Sequence, residues 1–179
     1  MADRHVDHLL IGGGLASGNC ARHLRENGDG SILLVGREPE PPYNRPALTK
    51  GYLAHTEDRA MDYFRPPEFW EEQNIDVMTR MNVMKIDTDA HTATLMNKDV
   101  ITYGNALIAT GANVNLLRVD GMGQEGIHYL RAFGSSDSIL DLIGSDGTTV
   151  IETDDNDGSL GALSSTVAGA PMATGSSSI

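Results

Sequence analysis

The chain has 179 residues, 40% of them hydrophobic, which is enough for one buried core and a short appendage. Its 13 basic and 25 acidic residues give a formal charge of −12, suited to a solvated protein and excluding the clustered Lys and Arg surface that a nucleic-acid partner requires. The single cysteine, Cys20, excludes an internal disulfide, a Cys-x-x-Cys redox pair and a cysteine zinc cluster, so redox chemistry here needs a borrowed cofactor.

No apolar run approaches the ~20 residues that cross a bilayer, and the opening Met-Ala-Asp-Arg-His-Val-Asp is charged where a secretory signal is apolar. The expected compartment is the cytoplasm, with no membrane partner. Residues 6–11 are a short apolar run ending in Gly12, Gly13 and Gly14, the pattern of a buried parallel strand entering a tight turn. Over 15–26, Leu15, Ala16, Cys20, Ala21 and Leu24 recur at helical spacing, and Asn27-Gly28 supplies the stop. Ile32, Leu33, Leu34 and Val35 then read as a second buried strand, and strand, helix, strand predicts a right-handed parallel crossover.

Pro39, Pro41, Pro42 and Pro46 predict a rigid, polar loop over 38–46 at the sheet edge. A short helix is expected over 66–73, with Phe69 and Trp70 packed inward. Between 75 and 103 the β-prone segments 83–86, 92–95 and 100–103 predict a small antiparallel meander. Ala106, Leu107, Ile108 and Ala109 are apolar without alternation, which predicts another buried strand of the main sheet running into Thr110-Gly111. Farther on, 139–143 reads as the end of a helix and 148–151 as a strand, while the Asp, Gly, Ser, Ala and Thr composition from Asp154 onward predicts a disordered tail. His5, His8, His23, His55, His91 and His128 lack ligand-like spacing, so no metal site is expected.

The chemistry concentrates in the glycine turn. In Gly-x-Gly-x-x-Gly the glycines permit a tight turn, let the backbone approach a pyrophosphate, and allow helix and strand to pack closely. Here the three positions are Gly12, Gly14 and Ser17, and the small serine preserves the close packing. A glycine triplet alone is also compatible with a plain structural turn; the strand before, the helix after and an acidic residue about twenty positions on favour a dinucleotide. That residue is Glu38, placed to accept ribose hydroxyls, while the adjacent Arg37 leaves open a site for a 2′-phosphate.

The run from Gly36 through Pro42, Tyr43, Asn44, Arg45, Pro46, Ala47, Leu48, Thr49 to Lys50 resembles the ferredoxin reductase-like flavoproteins, including rubredoxin reductases and the apoptosis-inducing-factor group. Ala109, Thr110 and Gly111 are similar to that family's Ala-Thr-Gly segment, and residues 126–131 to its connecting strand. The resemblance spans about 6–141. It implies an α/β, Rossmann-like FAD-binding βαβ domain with a small antiparallel meander, incomplete relative to the family. It also implies that FAD is held by Gly12, Gly13, Gly14, Leu15, Ala16, Ser17, Glu38, Arg45, Lys50, Val83, Ala109, Thr110 and Gly111. Lys50 would be the catalytic cation beside the flavin, and Val83 would lay its backbone against the adenine. The implied activity passes electrons from NAD(P)H through flavin to a ferredoxin-like acceptor.

The family's second βαβ unit, for NAD(P)H, is not visible. Where its glycine turn is expected, after 148–151, stand Glu152, Asp154, Asp155 and Asp157, whose charges repel a pyrophosphate. The expected glutamate partner of Lys50 is missing too, and Asn115 replaces a frequent Arg or Lys. The expected organisation is therefore 1–115 as the N-terminal part of an FAD domain, 116–152 as a connector and the start of a truncated NAD(P) unit, and 153–179 as tail. The compositional break near Val150 reads as truncation or a frame shift, or as a naturally divergent tail. Two alternatives stand beside the reductase: a non-catalytic fragment or nucleotide-binding subunit, and, last, a single-domain NAD(P) dehydrogenase.

Overall fold

The computed structural model describes residues 4–54, 56–116, 118–120 and 127–135, so the expectations for 139–143, 148–151 and the tail from 153 lie outside the described residues. The chain divides into two compact units, one from Met1–Asn44 and Arg59–Ala112, the other from Arg45–Asp58 and Asn113–Ile179. In the first unit the order is β1 (Arg4–Ile11), α1 (Leu15–Asn27), β2 (Ile32–Val35), α2 (Arg59–Asp62), α3 (Pro67–Glu72), β3 (Ile75–Met78), β4 (Val83–Asp87), β5 (Thr92–Leu95) and β6 (Val100–Ile108). In the second, a 3-10 turn spans Arg45–Thr49, and Phe133 is fully buried with its ring edge-on to Tyr52 at 4.7 Å.

The six strands form one sheet in the order β3-β2-β1-β6-β5-β4. β1 runs parallel to both β2 and β6, and β3 parallel to β2, while β4, β5 and β6 pair antiparallel. All four residues of β2 are buried, and alternate ones enter different cores. Leu33 and Val35 pack with Leu9, Ile11 and Tyr103, whereas Ile32 and Leu34 pack with Leu10, Ala21 and Trp70. A strand apolar at every position is thus buried on both faces. Trp70 lies in the second cluster, 3% exposed, with Phe69 edge-on at 5.3 Å.

Three expectations are corrected. Residues 100–103 and 106–109 do not form two strands: β6 is one nine-residue strand that serves the meander through its first half and the parallel sheet through its second. Its end is not buried either. Ala106 is exposed and Ile108 is 64% exposed, because β1 is the only described strand beside this stretch, and an apolar run cannot report which neighbours cover it. The loop over 38–46 exposes Pro39, Asn44 and Pro46 but buries Pro42 and Tyr43, and Tyr43 makes an isolated antiparallel bridge with Tyr63. In addition, Ile75–Met78, read as part of the region leading into the meander, extends the parallel sheet through Ile32↔Ile75 and Val35↔Met78.

The strand entering β2 is tied to β1 by Asp7. Its carboxylate accepts from the Ser31 N–H and the Ser31 hydroxyl, each at 2.7 Å, and its own N–H donates to Ser31 Oγ at 2.8 Å. The Ser31 hydroxyl and backbone N–H hold the Asp7 carboxyl below the ordinary aspartate value. A lowered folded pKa contributes stability that is complete above the unfolded pKa and is lost as pH falls through the folded one. The urea midpoint of the parent chain should therefore fall relative to Asp7→Asn as the pH drops below about 4, and the two should run parallel above about 5.

Candidate functional site

The carboxyl ends of β1, β2 and β6 converge in the first unit. Gly12 N–H donates to Val35 O at 2.8 Å and Ala109 N–H to Ile11 O at 2.8 Å. Gly12 has φ +123, and a Cβ there would lie 2.1 Å from Ala109 O, so only glycine fits. A Cβ on Gly13 would meet Gly36 Cα at 3.2 Å, so the turns after β1 and β2 touch backbone to backbone. Gly111, at φ +68, turns the chain away after β6. The carboxyl ends of parallel strands are where sheets of this kind bind ligands.

Gly14 differs from its neighbours. A Cβ there would meet nothing within 4 Å, and its φ of −94 and ψ of −178 are open to any residue. It is the N-cap of the 13-residue α1, makes no side-chain cap bond, and no acidic residue stands in the first turn. The leading N–H groups and the positive end of the helix thus meet no carboxylate from the helix's own first turn, the arrangement that receives a phosphate. Leu15 is half-buried and Ala16 exposed, while Ser17 is fully buried with no hydrogen-bond partner for its hydroxyl among the described residues. Because an unsatisfied buried hydroxyl costs about 1–3 kcal/mol, Ser17→Ala is expected to raise the apo-protein's urea-unfolding free energy by about 1 kcal/mol.

Glu38 follows β2, half-buried, with Oε2 accepting the Tyr43 hydroxyl at 2.7 Å and its carbonyl accepting Arg80 N–H at 3.0 Å. The carboxylate is held in place, while the neighbouring Arg37 is exposed. Tyr43→Phe removes that donor and should lower stability by about 1 kcal/mol in the same urea assay. Val83 begins β4 opposite Leu95 with its side chain packed against the first core cluster, so only its backbone is left for a ligand.

The structure therefore brings Gly12, Gly13, Gly14, Leu15, Ala16, Ser17, Glu38, Val83, Ala109, Thr110 and Gly111 into one unit. Arg45 and Lys50 belong to the other. There Arg45 Nη1 donates to Arg131 O at 2.5 Å, and Lys50 is exposed, with its N–H donating to Ala47 O at 2.9 Å. Three positions escaped sequence reasoning. Tyr43 positions Glu38; Gly36 admits Gly13; and Gly18 lets α1 approach the proline loop, since a Cβ there would fall 2.9 Å from Pro42 Cβ. The last two carry a signal, a glycine inside a helix and one directly after a strand. A pocket of about 530 Å³ beside α3 and β3, lined by Tyr63, Trp70 and Asp76 among others, contains none of the expected cofactor residues.

This turn, helix and sheet define a dinucleotide-binding α/β domain. The chain belongs to the pyridine nucleotide-disulphide oxidoreductase family, whose model matches residues 6–151. It is 37% identical over 144 residues to rhodocoxin reductase of Rhodococcus erythropolis, covering 80% of this chain and 34% of that one. It is 31% identical over 140 residues to a ferredoxin–NAD(P)+ reductase of Sphingomonas sp, covering 78% and 34%. Among solved structures, the covalent putidaredoxin reductase–putidaredoxin complex superimposes with a TM-score of 0.72 at 29% identity, over 82% of this chain and 36% of that chain. The chain thus spans about a third of the length of the curated relatives it matches. The family is FAD-dependent and takes NAD(P)H as substrate.

The residues of the first unit fit FAD. An uncapped helix start beside a side-chain-free Gly14 matches a pyrophosphate, and a half-buried carboxylate held by Tyr43 matches ribose hydroxyls. Among the described residues, no cluster of His, Cys, Asp and Glu is arranged to hold a metal, and no helix is long and apolar enough to cross a membrane.

Proposed function

We propose that this chain is the FAD-holding portion of an NAD(P)H-dependent reductase that delivers electrons to a ferredoxin-like acceptor. The observation that carries the reading is the start of α1, where Gly14 leaves open space in front of uncapped N–H groups. Bound FAD would supply the redox chemistry, accepting two electrons and releasing them singly. The chain's own part is binding and orientation. Gly12 and Gly13 fix the turn, the first N–H groups of α1 take the pyrophosphate, Glu38 takes the ribose, and the backbones at Val83, Ala109, Thr110 and Gly111 border the cofactor. Arg45 and Lys50 complete the assignment on the strength of the family-like Pro-Tyr-Asn-Arg-Pro run, Lys50 as the cation favouring reduced flavin. A cytoplasmic setting belongs to the same proposal.

The acceptor class is supported by the relatives, one called a ferredoxin–NAD(P)+ reductase and another solved in complex with putidaredoxin. A second reading, a subunit that binds nucleotide without turnover, is favoured by the carboxylates Glu152, Asp154, Asp155 and Asp157 where an NAD(P)H phosphate turn is expected. Reconstituting the chain with FAD and adding NADH or NADPH anaerobically separates the two. Rapid bleaching of a flavin spectrum supports the reductase. A stable yellow protein that neither nucleotide bleaches supports the subunit, and a protein that takes up no flavin defeats both.

A further inference from the structure

Glu38 is fixed at both ends. Its backbone is held by the turn that follows β3, where Arg80 N–H donates to Glu38 O at 3.0 Å and Met81 N–H to Gly36 O at 2.9 Å. Its tip is held by Tyr43, whose hydroxyl donates to Oε2 at 2.7 Å. Tyr43 is itself 2% exposed, and its backbone is clamped around the bridge to Tyr63, with Phe64 N–H donating to Pro42 O and Asn44 N–H to Asp62 O, each at 2.8 Å. Pro42 beside it sits against α1, where a Cβ on Gly18 would fall 2.9 Å from Pro42 Cβ. The helix whose first N–H groups are assigned to the pyrophosphate and the phenol that orients the ribose carboxylate thus belong to one packed assembly within the first unit.

We propose that Tyr43 is a positioning residue that sets the selectivity of the site for a nucleotide with both ribose hydroxyls, acting through Glu38; this rests on the FAD reading above. The phenol takes up one of about four acceptor positions of the carboxylate and holds the group in one orientation. That ordering is complete before the nucleotide arrives, so the bonds from the ribose hydroxyls form without further loss of Glu38 rotamers. A nucleotide lacking the hydroxyls meets a carboxylate that cannot swing away to find water, and an unmatched polar group of this kind is what makes a site reject an analogue strongly. Without the phenol, Glu38 relaxes toward solvent when the hydroxyls are missing, and the rejection weakens.

Competition of ADP and of 2′,3′-dideoxy-ADP against FAD on the 179-residue chain, read by flavin fluorescence, tests this. The parent is expected to bind ADP at least about tenfold more tightly than the dideoxy compound, and Tyr43→Phe to reduce that ratio to about threefold or less. Tyr43→Met, which occupies the ring's space without a donor, should do the same, and far-UV circular dichroism verifies that each variant is folded. In Glu38→Ala the ratio should be near unity, and adding Tyr43→Phe to it should change nothing, because the phenol has no carboxylate left to act on. A Tyr43→Phe chain that binds both nucleotides more weakly but in the parent's ratio has lost only structure, and that result overturns the proposal. A parent that binds FAD and ADP with a ratio near unity also overturns it, while leaving the phosphate assignment standing. A parent that binds neither FAD nor ADP contradicts the FAD reading itself, and this inference with it.

Discussion

Gly12→Ala is expected to be the most destabilising single substitution in the glycine turn. Its Cβ would be driven to 2.1 Å from Ala109 O, which is fixed by the bond between Ala109 N–H and Ile11 O, and the residue would have to hold φ +123. Neither the β1 end nor the β6 end can retreat without breaking the parallel ladder from His8↔Asn105 to Ile11↔Ile108. A φ of this kind costs a non-glycine residue about 1–3 kcal/mol, and an unrelieved overlap in a packed site adds about 1–3 more. Against a total stability of about 5–15 kcal/mol, a loss above about 3 should shift the urea midpoint far down and push much of the protein into the insoluble fraction. Gly13→Ala, at 3.2 Å from Gly36 Cα, should cost less. An unchanged midpoint for Gly12→Ala would mean that the two strand ends do not meet as described.

Gly14→Asp should have two effects of opposite sign. The position accepts a side chain without strain or clash, and an N-cap aspartate would satisfy the leading N–H groups of α1, stabilising the apo-protein by about 1 kcal/mol. The same carboxylate would occupy the groups assigned to the pyrophosphate and stand beside its charge. At about 4 kcal/mol for a pair of unit charges 4 Å apart near a protein surface, affinity for FAD should fall by at least about a hundredfold. Thermal melts of the apo-protein and fluorescence titration with FAD read the two arms separately. A variant that is more stable and still binds FAD as the parent does would remove the phosphate from this helix.

The difference between the two glycines could not be seen in the sequence. The pattern marks Gly12 and Gly14 as its first two positions but does not show that Gly12 is required by a carbonyl across the sheet, Gly13 by a neighbouring turn, and that Gly14 stands before open space. What was legible depended on local periodicity: β1, α1, β2, the inward Trp70 and the meander segments all follow from spacing within a dozen residues. What was not legible depended on distant neighbours. Ile75–Met78 joins the parallel sheet because β2 offers it an edge, and Ala106 and Ile108 are exposed while Leu107 between them packs on the second cluster. Tyr43 was read as one letter of a proline-rich loop; its role emerges only when the loop folds back and its hydroxyl reaches Glu38. The glycine turn and Glu38 can be proposed from sequence because the spacing of a dinucleotide site is itself local, within about twenty-five residues. Arg45 and Lys50 came from resemblance alone.

The central claim, that the start of α1 in this chain receives the pyrophosphate of FAD, is tested most directly by titrating the purified apo-protein with FAD and following quenching of flavin fluorescence. Saturable binding of one FAD per chain is predicted, displaced by excess ADP and lost in Gly14→Asp. A chain whose circular dichroism shows the folded sheet but which leaves FAD fluorescence unchanged would contradict it.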